Sequence, residues 1–289
     1  MTSVVFYIKL TPMKSTRIII ALLAIFLIEA CSQVPFTGRN QTQLIPISTI
    51  NELSYSQYDD FLAENNALPA DAPETRLIRR IGNDIISAVE VYYKANKMED
   101  QLKNFNWEFN VIESEQVNAF CMPGGKVVFY TGIMDVAENE DALAVIMGHE
   151  IAHALAHHGN ERMSQMVWAQ LGFAALDVAI AEQPDDTRNL IMAAAGAGAQ
   201  IGIMLPFSRK HESEADEIGL YLMTMAGYDP TEAVPFWSRM SKQSAGAPPE
   251  FLSTHPGPER RAENLNKLVP KAREFAREYP VPQSSRFKG

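Results

Sequence analysis

Cysteine is scarce in this chain: only Cys31 and Cys121 occur among 289 residues. With Cys31 read as a lipidation site, no internal disulfide can form, so the fold must rest on its core instead of on covalent staples. Cys121 sits in the apolar context Ala-Phe-Cys-Met and reads as a buried thiol, not a reactive one. Basic charge is also in short supply. Lys and Arg number 25 against 35 Asp and Glu, a formal net charge of −10. That balance excludes the broad basic face that a nucleic-acid partner demands, and equally a polybasic grip on anionic lipid. No internal repeat is visible, which excludes a solenoid or propeller.

What the N-terminus does have is an apolar core at 18–28 behind Lys14 and Arg17. It is too short for the roughly 20 residues of a spanning helix and suits a signal peptide, here 1–30. The tetrapeptide Ile-Glu-Ala-Cys at 28–31 resembles a bacterial lipobox, in which Cys31 is acylated and becomes the first mature residue; Glu29 is an unusual occupant. Ser32 stands where an Asp would retain such a lipoprotein at the inner membrane. The expectation is a lipid-anchored protein of the bacterial cell envelope, in the outer membrane and facing the periplasm. Residues 31–72 are then a lipidated N-terminus and wrapping segment, irregular over 33–70, and 73–289 form a single catalytic domain.

The chemistry starts at 149–153, His-Glu-Ile-Ala-His, inside the apolar run from Asp141 to Ala156. Histidines four apart on a helix lie about 40° apart around the axis and roughly 6 Å along it, so both imidazoles can reach one zinc. Glu150 falls beside that metal, where a general base is needed. Two imidazoles and a carboxylate among Leu, Ile, Val and Met would be costly to bury unpaired, and a bound dication pairs all three. His157 lies about 12 Å along the axis from His149, too far for a third ligand, so His157 and His158 read as helix-end residues. The metzincin pattern fails, because the chain has Ala156 and Gly159 where Gly and His are required. Glu212 and Asp216, again four apart, offer the missing oxygen: one carboxylate to ligate and the other to receive a ligand N–H.

Periodicity places these motifs. Leu77, Ile78, Ile81, Ile85 and Val89 predict an amphipathic helix from Pro73 to about residue 94. Phe105, Trp107 and Phe109 alternate with polar residues, and 126–131 is β-branched and aromatic, so a small sheet precedes the zinc helix. The stretch 118–130 is where an extended substrate would add as a strand. Two apolar stretches, 163–181 and 190–207, read as a helical hairpin packed on the core, with contact to the membrane as the alternative. A helix over 208–226 carries Glu212 and stops at Gly227. The sequence Asp229-Pro-Thr-Glu232 has the form of a helix start. A Pro-rich turn at 246–249 then leads to His255 and a terminal helix.

Four motifs in order resemble one known family: Asn118-Ala-Phe-Cys-Met-Pro-Gly-Gly-Lys, the zinc pentapeptide, Ser208-Arg-Lys-His-Glu-Ser-Glu-Ala-Asp216, and Ser253-Thr-His-Pro-Gly-Pro-Glu-Arg-Arg261. The family is that of the CAAX prenyl protease and the heat-shock protease HtpX. Within it the chain is most similar to the lipid-anchored bacterial LoiP-type branch, itself similar to the mitochondrial overlapping-activity protease. The resemblance implies an α+β, mainly helical zincin of the gluzincin type. It implies one Zn2+ per chain on His149, His153 and Glu212, with Glu150 as base and Asp216 and Arg261 supporting the ligands. It also implies Asn118 beside the substrate strand, and His255 at the substrate carbonyl or on zinc itself. The activity implied is metalloendopeptidase cleavage of misfolded periplasmic or outer-membrane proteins, with outer-membrane assembly proteins as partners. The rival class is a lipid-anchored, non-proteolytic chaperone or assembly factor with a structural zinc.

Overall fold

Short strands and a tight turn open the fold. The computed structural model describes residues 31–200, 205–242, 250–251, 255 and 258–282. The expected signal peptide and the turn at 246–249 lie outside the described residues. Strands β1 (Cys31–Gln33) and β2 (Asn40–Thr42) pair antiparallel, Cys31 opposite Thr42. Phe36, at φ 70°, and Gly38, at φ 65°, are the left-handed residues of the connecting turn, the second at no steric cost. Next comes helix α1 (Ile47–Glu64), which corrects the expectation of an irregular 33–70. Its buried face includes Asn51 and Ser54, whose side chains donate to the Asn104 and Pro123 carbonyls at 2.6 and 2.7 Å. Polar residues in core-facing positions hid the helical period.

The helix expected from Pro73 runs as α2 (Pro73–Ala95), with Pro in its first turn and Ile78, Ile81, Ile85 and Val89 fully buried. A single helical turn, α3 (Glu99–Leu102), leads into the sheet of β3 (Glu108–Ile112), β4 (Ala119–Met122) and β5 (Lys126–Tyr130). The spatial order is β3-β5-β4, with β5 parallel to β3 and antiparallel to β4. Every residue of β5 is buried, as a central strand requires, and β4 is left at an edge.

After α4 (Thr131–Ala137) comes α5 (Glu140–Leu155), the helix that holds the pentapeptide. Asn139 caps it by accepting the Ala142 N–H at 2.8 Å, and Glu140 and Asp141 complement its dipole. From Ala142 to Leu155 only His153 is not fully buried, so the helix is a core rod with no solvent face. Helices α6 (His158–Ala179) and α7 (Asp185–Ala199) form the apolar hairpin. It does not pack on the core as expected: α6 buries only residues near its start, His158, Asn160, Glu161 and Ser164, and α7 buries none. Leu171, Val178 and Leu190 are 55%, 77% and 71% exposed. Apolar composition without a marked period told of a surface that avoids water, not of what covers it. No helix among the described residues is long and apolar enough to cross a membrane.

Helix α8 (Leu205–Met225) packs more extensively against α5 than any other pair of elements. Gly227, at φ 89°, ends the chain's helical path there. Asp229 accepts the Thr231 N–H at the start of a short 3₁₀ turn, Pro230–Glu232, which leads into α9 (Ala233–Lys242). The terminal helix α10 (Pro258–Glu278) lies across α8 and α9.

The α5–α8 crossing is backbone on backbone. A Cβ at Gly148 would stand 2.6 Å from the Gly219 carbonyl oxygen, and one at Gly219 would stand 2.7 Å from the Gly148 carbonyl carbon and the His149 nitrogen. No side chain fits, and none can yield, because the obstacle is main chain. Gly219→Ala is therefore expected to destabilise the fold by about 1–3 kcal/mol through forced separation of the helices. A urea midpoint equal to wild type, with zinc affinity unchanged, would show that the crossing tolerates a methyl group.

Candidate metal centre

Because the helices touch at Gly148 and Gly219, residues within two turns of the contact on each helix face each other. His149 and His153 present Nε2 atoms 3.0 Å apart. Glu212 brings Oε2 to 3.4 Å from His149 and Oε1 to 3.4 Å from His153. His255 completes the set, its Nδ1 lying 3.0 Å from Glu212 Oε2 and 3.1 Å from His149 Nε2. One ligand atom from each of the four residues falls within 4.8 Å of all the others. Tetrahedral zinc with bonds near 2.0–2.1 Å separates its ligand atoms by about 3.3 Å, close to most of these spacings. Three imidazoles and a carboxylate are also the donor chemistry zinc takes.

Electrostatics point the same way. Burial pushes the Glu150 carboxyl well above the usual range, and the nearby Glu212 charge adds to the rise. A dication in the cluster is the charge that opposes both. Glu150 Oε2 accepts the Cys121 N–H of β4 at 3.1 Å, while Oε1 has no hydrogen-bond partner among the described residues and lies 3.5 Å from His255 Nε2. Burial acts against ionisation of Glu212 too, but His153, His149 and His255 outweigh it and hold this carboxyl far below the ordinary range. Burial also lowers His153 and His255, favouring the neutral rings that metals bind. The Cys121 thiol is pushed well up by burial and then by Glu150, so it stays protonated.

Behind His149 stands Asp216, whose Oδ1 is 3.1 Å from Nδ1. Arg261 grips Asp216 with two bonds of 2.7 Å and stacks 3.8 Å above the Trp237 ring. Its Nη1 also lies 3.2 Å from Glu212 Oε2. Seven of the eight residues picked as catalytic, metal-binding or supporting thus converge. Asn118, expected beside the substrate strand, is buried immediately before β4, and its Oδ1 has no hydrogen-bond partner among the described residues. Cys31, the lipidation candidate, lies in β1, outside the donor cluster. A cavity of about 520 Å³ opens on the centre, lined by Glu150, His153, Glu212 and His255 with Phe120, Cys121 and Pro123 of the β4 region.

Sequence reasoning missed a second buried group, comprising Arg39, His158, Glu161, His211 and Glu214. His158 stands at a helix end, as expected, being the first residue of α6, but it is also buried, with only 2% of it accessible. The reason is His157, which adopts φ 51° between α5 and α6 and turns the next side chain back onto His153.

The profile of peptidase family M48 matches residues 79–269, from within α2 to within α10. The chain belongs to this family. It thus shares the family's zincin architecture, α+β and mainly helical, with a small sheet ahead of the zinc-motif helix. The mitochondrial metalloendopeptidase OMA1 of Schizosaccharomyces pombe is 30% identical over 245 residues, covering 83% of this chain and 66% of that protein. The Saccharomyces cerevisiae protein of that name is 33% identical over 213 residues, covering 70% and 59%. The β-barrel assembly-enhancing protease of Escherichia coli is 30% identical over 163 residues, covering 54% and 33%. The chain therefore spans between 33% and 66% of these relatives' own lengths.

Proposed function

We propose that this chain is a zinc-dependent metalloendopeptidase that cleaves misfolded proteins in the bacterial cell envelope. The observation that carries the reading is the pairing of a zinc-sized donor cluster with one buried carboxylate oxygen, Glu150 Oε1, that accepts no hydrogen bond among the described residues and lies at the edge of an open cleft. Zinc, when bound, polarises a carbonyl and brings the pKa of a water to near 7. Glu150 is placed to take that water's proton and to pass it to the leaving amine. The edge strand β4 offers main chain to an extended substrate, and its Cys121 N–H orients the Glu150 carboxylate. Substrate alignment and base alignment thereby share one strand.

His255 gives the rival reading, a structural zinc in a non-proteolytic assembly factor, its specific support, since four protein donors close a site. Against it, a structural site has no use for the buried, uncommitted oxygen of Glu150. We take the closed arrangement as a resting state that His255 must leave before water enters; the Pro and Gly residues on either side of it suit such a movement.

The envelope assignment is supported by the lipobox-like sequence ending at Cys31 and by the bacterial relative's name. Relatives named as mitochondrial share the fold but carry a different address. Cys31 pairs with Thr42, and Thr42 lines an apolar groove between α6 and α7 with Trp168, Phe173 and Leu176. An acyl anchor on Cys31 would thus emerge beside the exposed apolar hairpin, which would rest on the bilayer surface.

An unfolded protein digested in parallel by wild type, Glu150→Gln and His255→Ala tests the mechanism. Glu150→Gln should keep zinc and lose turnover by at least about 10²-fold, and His255→Ala should keep zinc and cleave faster at rest. Undiminished turnover in Glu150→Gln would remove the general base and the mechanism with it. The anchor is checked by mass spectrometry of membrane-bound protein, which should begin at an acylated Cys31. Recovery of an intact 13–30 segment would replace the acyl anchor with an uncleaved peptide one.

A further inference from the structure

The two zinc-motif histidines are backed differently. His149 leans directly on Asp216, which Arg261 holds. His153 has no carboxylate at its Nδ1; it has another histidine. His158 Nδ1 lies 2.8 Å from His153 Nδ1, and His158 Nε2 lies 3.0 Å from Glu214 Oε2. With His153 Nε2 turned to the donor cluster, only one proton arrangement satisfies every atom. His153 Nδ1–H donates to the lone pair of His158 Nδ1, which places the His158 proton on Nε2, where it donates to Glu214. Glu214 is fixed in turn by Arg39 Nε–H at 2.7 Å and by the Thr37 hydroxyl. The other edge of the Arg39 guanidinium makes two bonds to Glu161, at 2.9 and 2.7 Å, and His211 Nε2 meets Glu161 at 3.0 Å.

Arg39 and Thr37 come from the β1–β2 turn, not from the helices that carry the metal site. That strap is sewn to α6 by further bonds: the Leu44 N–H donates to Ser164 Oγ at 2.9 Å, and Asn160 Nδ2 donates to the Ile45 carbonyl at 2.7 Å. The Arg39 side chain is 11% exposed and those of Glu161 and Glu214 only 4% and 6%, so removing the arginine would leave two buried carboxylates without their cation.

We infer that Arg39 is a positioning residue for the metal centre, acting through Glu214 and His158 to fix the tautomer and ring orientation of His153. The inference rests on the reading of His153 as a zinc ligand. It makes the N-terminal strap, which begins at the candidate lipidation residue, a functional part of the site. Outer partners of ligand histidines commonly contribute 10–100-fold to metal affinity, and that is the scale expected here.

The test is zinc affinity by chelator competition on the full chain, with urea midpoints measured alongside. His153→Ala serves as the control for the underlying reading and should abolish tight binding; if it binds zinc like wild type, that reading fails before this one is reached. Given that loss, His158→Phe and Arg39→Gln should each weaken zinc by about 10-fold or more. Their double variant should be no weaker than the worse single one, because both cut the same chain. Arg39→Lys, which keeps a cation beside Glu214, should recover part of the loss. A structural role alone predicts lower urea midpoints with unchanged zinc affinity in the folded protein. That result, or additive losses in the double variant, would overturn the inference.

Discussion

Contact between two main chains governs this molecule. Where α5 and α8 cross, glycine faces glycine, and the carbonyl of Gly219 occupies the space a side chain at Gly148 would need. Helices usually pack with axes 8–10 Å apart because side chains keep them there. With both Cβ atoms absent the axes close in, and Glu212 and Asp216 on one helix reach His149 and His153 on the other. A wider crossing would leave two half-sites, each a buried polar group without a partner.

That closeness creates an electrostatic problem which the rest of the structure answers. Glu150, Glu212, Asp216, Glu214 and Glu161 are all buried near one another, and repulsion among them would oppose folding. Two arginines and the histidines are placed against them. Arg261, stacked on Trp237, serves Asp216 and Glu212; Arg39 serves Glu214 and Glu161. All six histidines of the chain lie in or beside this region, five of them in the two clusters. Of these five acids, Glu150 alone has an oxygen that accepts no hydrogen bond among the described residues, and that oxygen is the one chemistry can use.

Legibility of the site in the sequence followed the range of the interaction. The pentapeptide was readable because His149, Glu150 and His153 are related by helical spacing alone. Glu212 and Asp216 were readable as a pair on one face, but spacing alone left open which of them ligates; the family resemblance chose Glu212, and the crossing sets it against both imidazoles. His158 was legible as a helix-end residue, but its contacts with His153 and Glu214 were not, because they depend on one left-handed residue, His157, that no spacing announces. Arg39 carried no signal, being 175 positions from Glu214 in a segment whose composition read as irregular. In the fold, α2 announced itself through apolar spacing behind Pro73, α5 through an unbroken apolar run and α8 through its paired acids and the stop at Gly227. Helix α1 did not, since Asn51 and Ser54 fill core-facing positions and satisfy their hydrogen bonds internally. The hairpin of α6 and α7 was legible as two helices, but not its exposure, because apolar composition alone does not say what an apolar surface packs against.

The claim at the centre is that the α5–α8 crossing assembles a single zinc site from nitrogen and oxygen donors. X-ray absorption at the zinc edge of the metal-loaded protein tests it most directly. The expected spectrum shows one zinc per chain, nitrogen and oxygen neighbours near 2.0–2.1 Å, and the outer-shell pattern of two or three imidazoles. A sulfur neighbour near 2.3 Å, which only a cysteine such as Cys121 would supply, or the signature of a single imidazole, would contradict it.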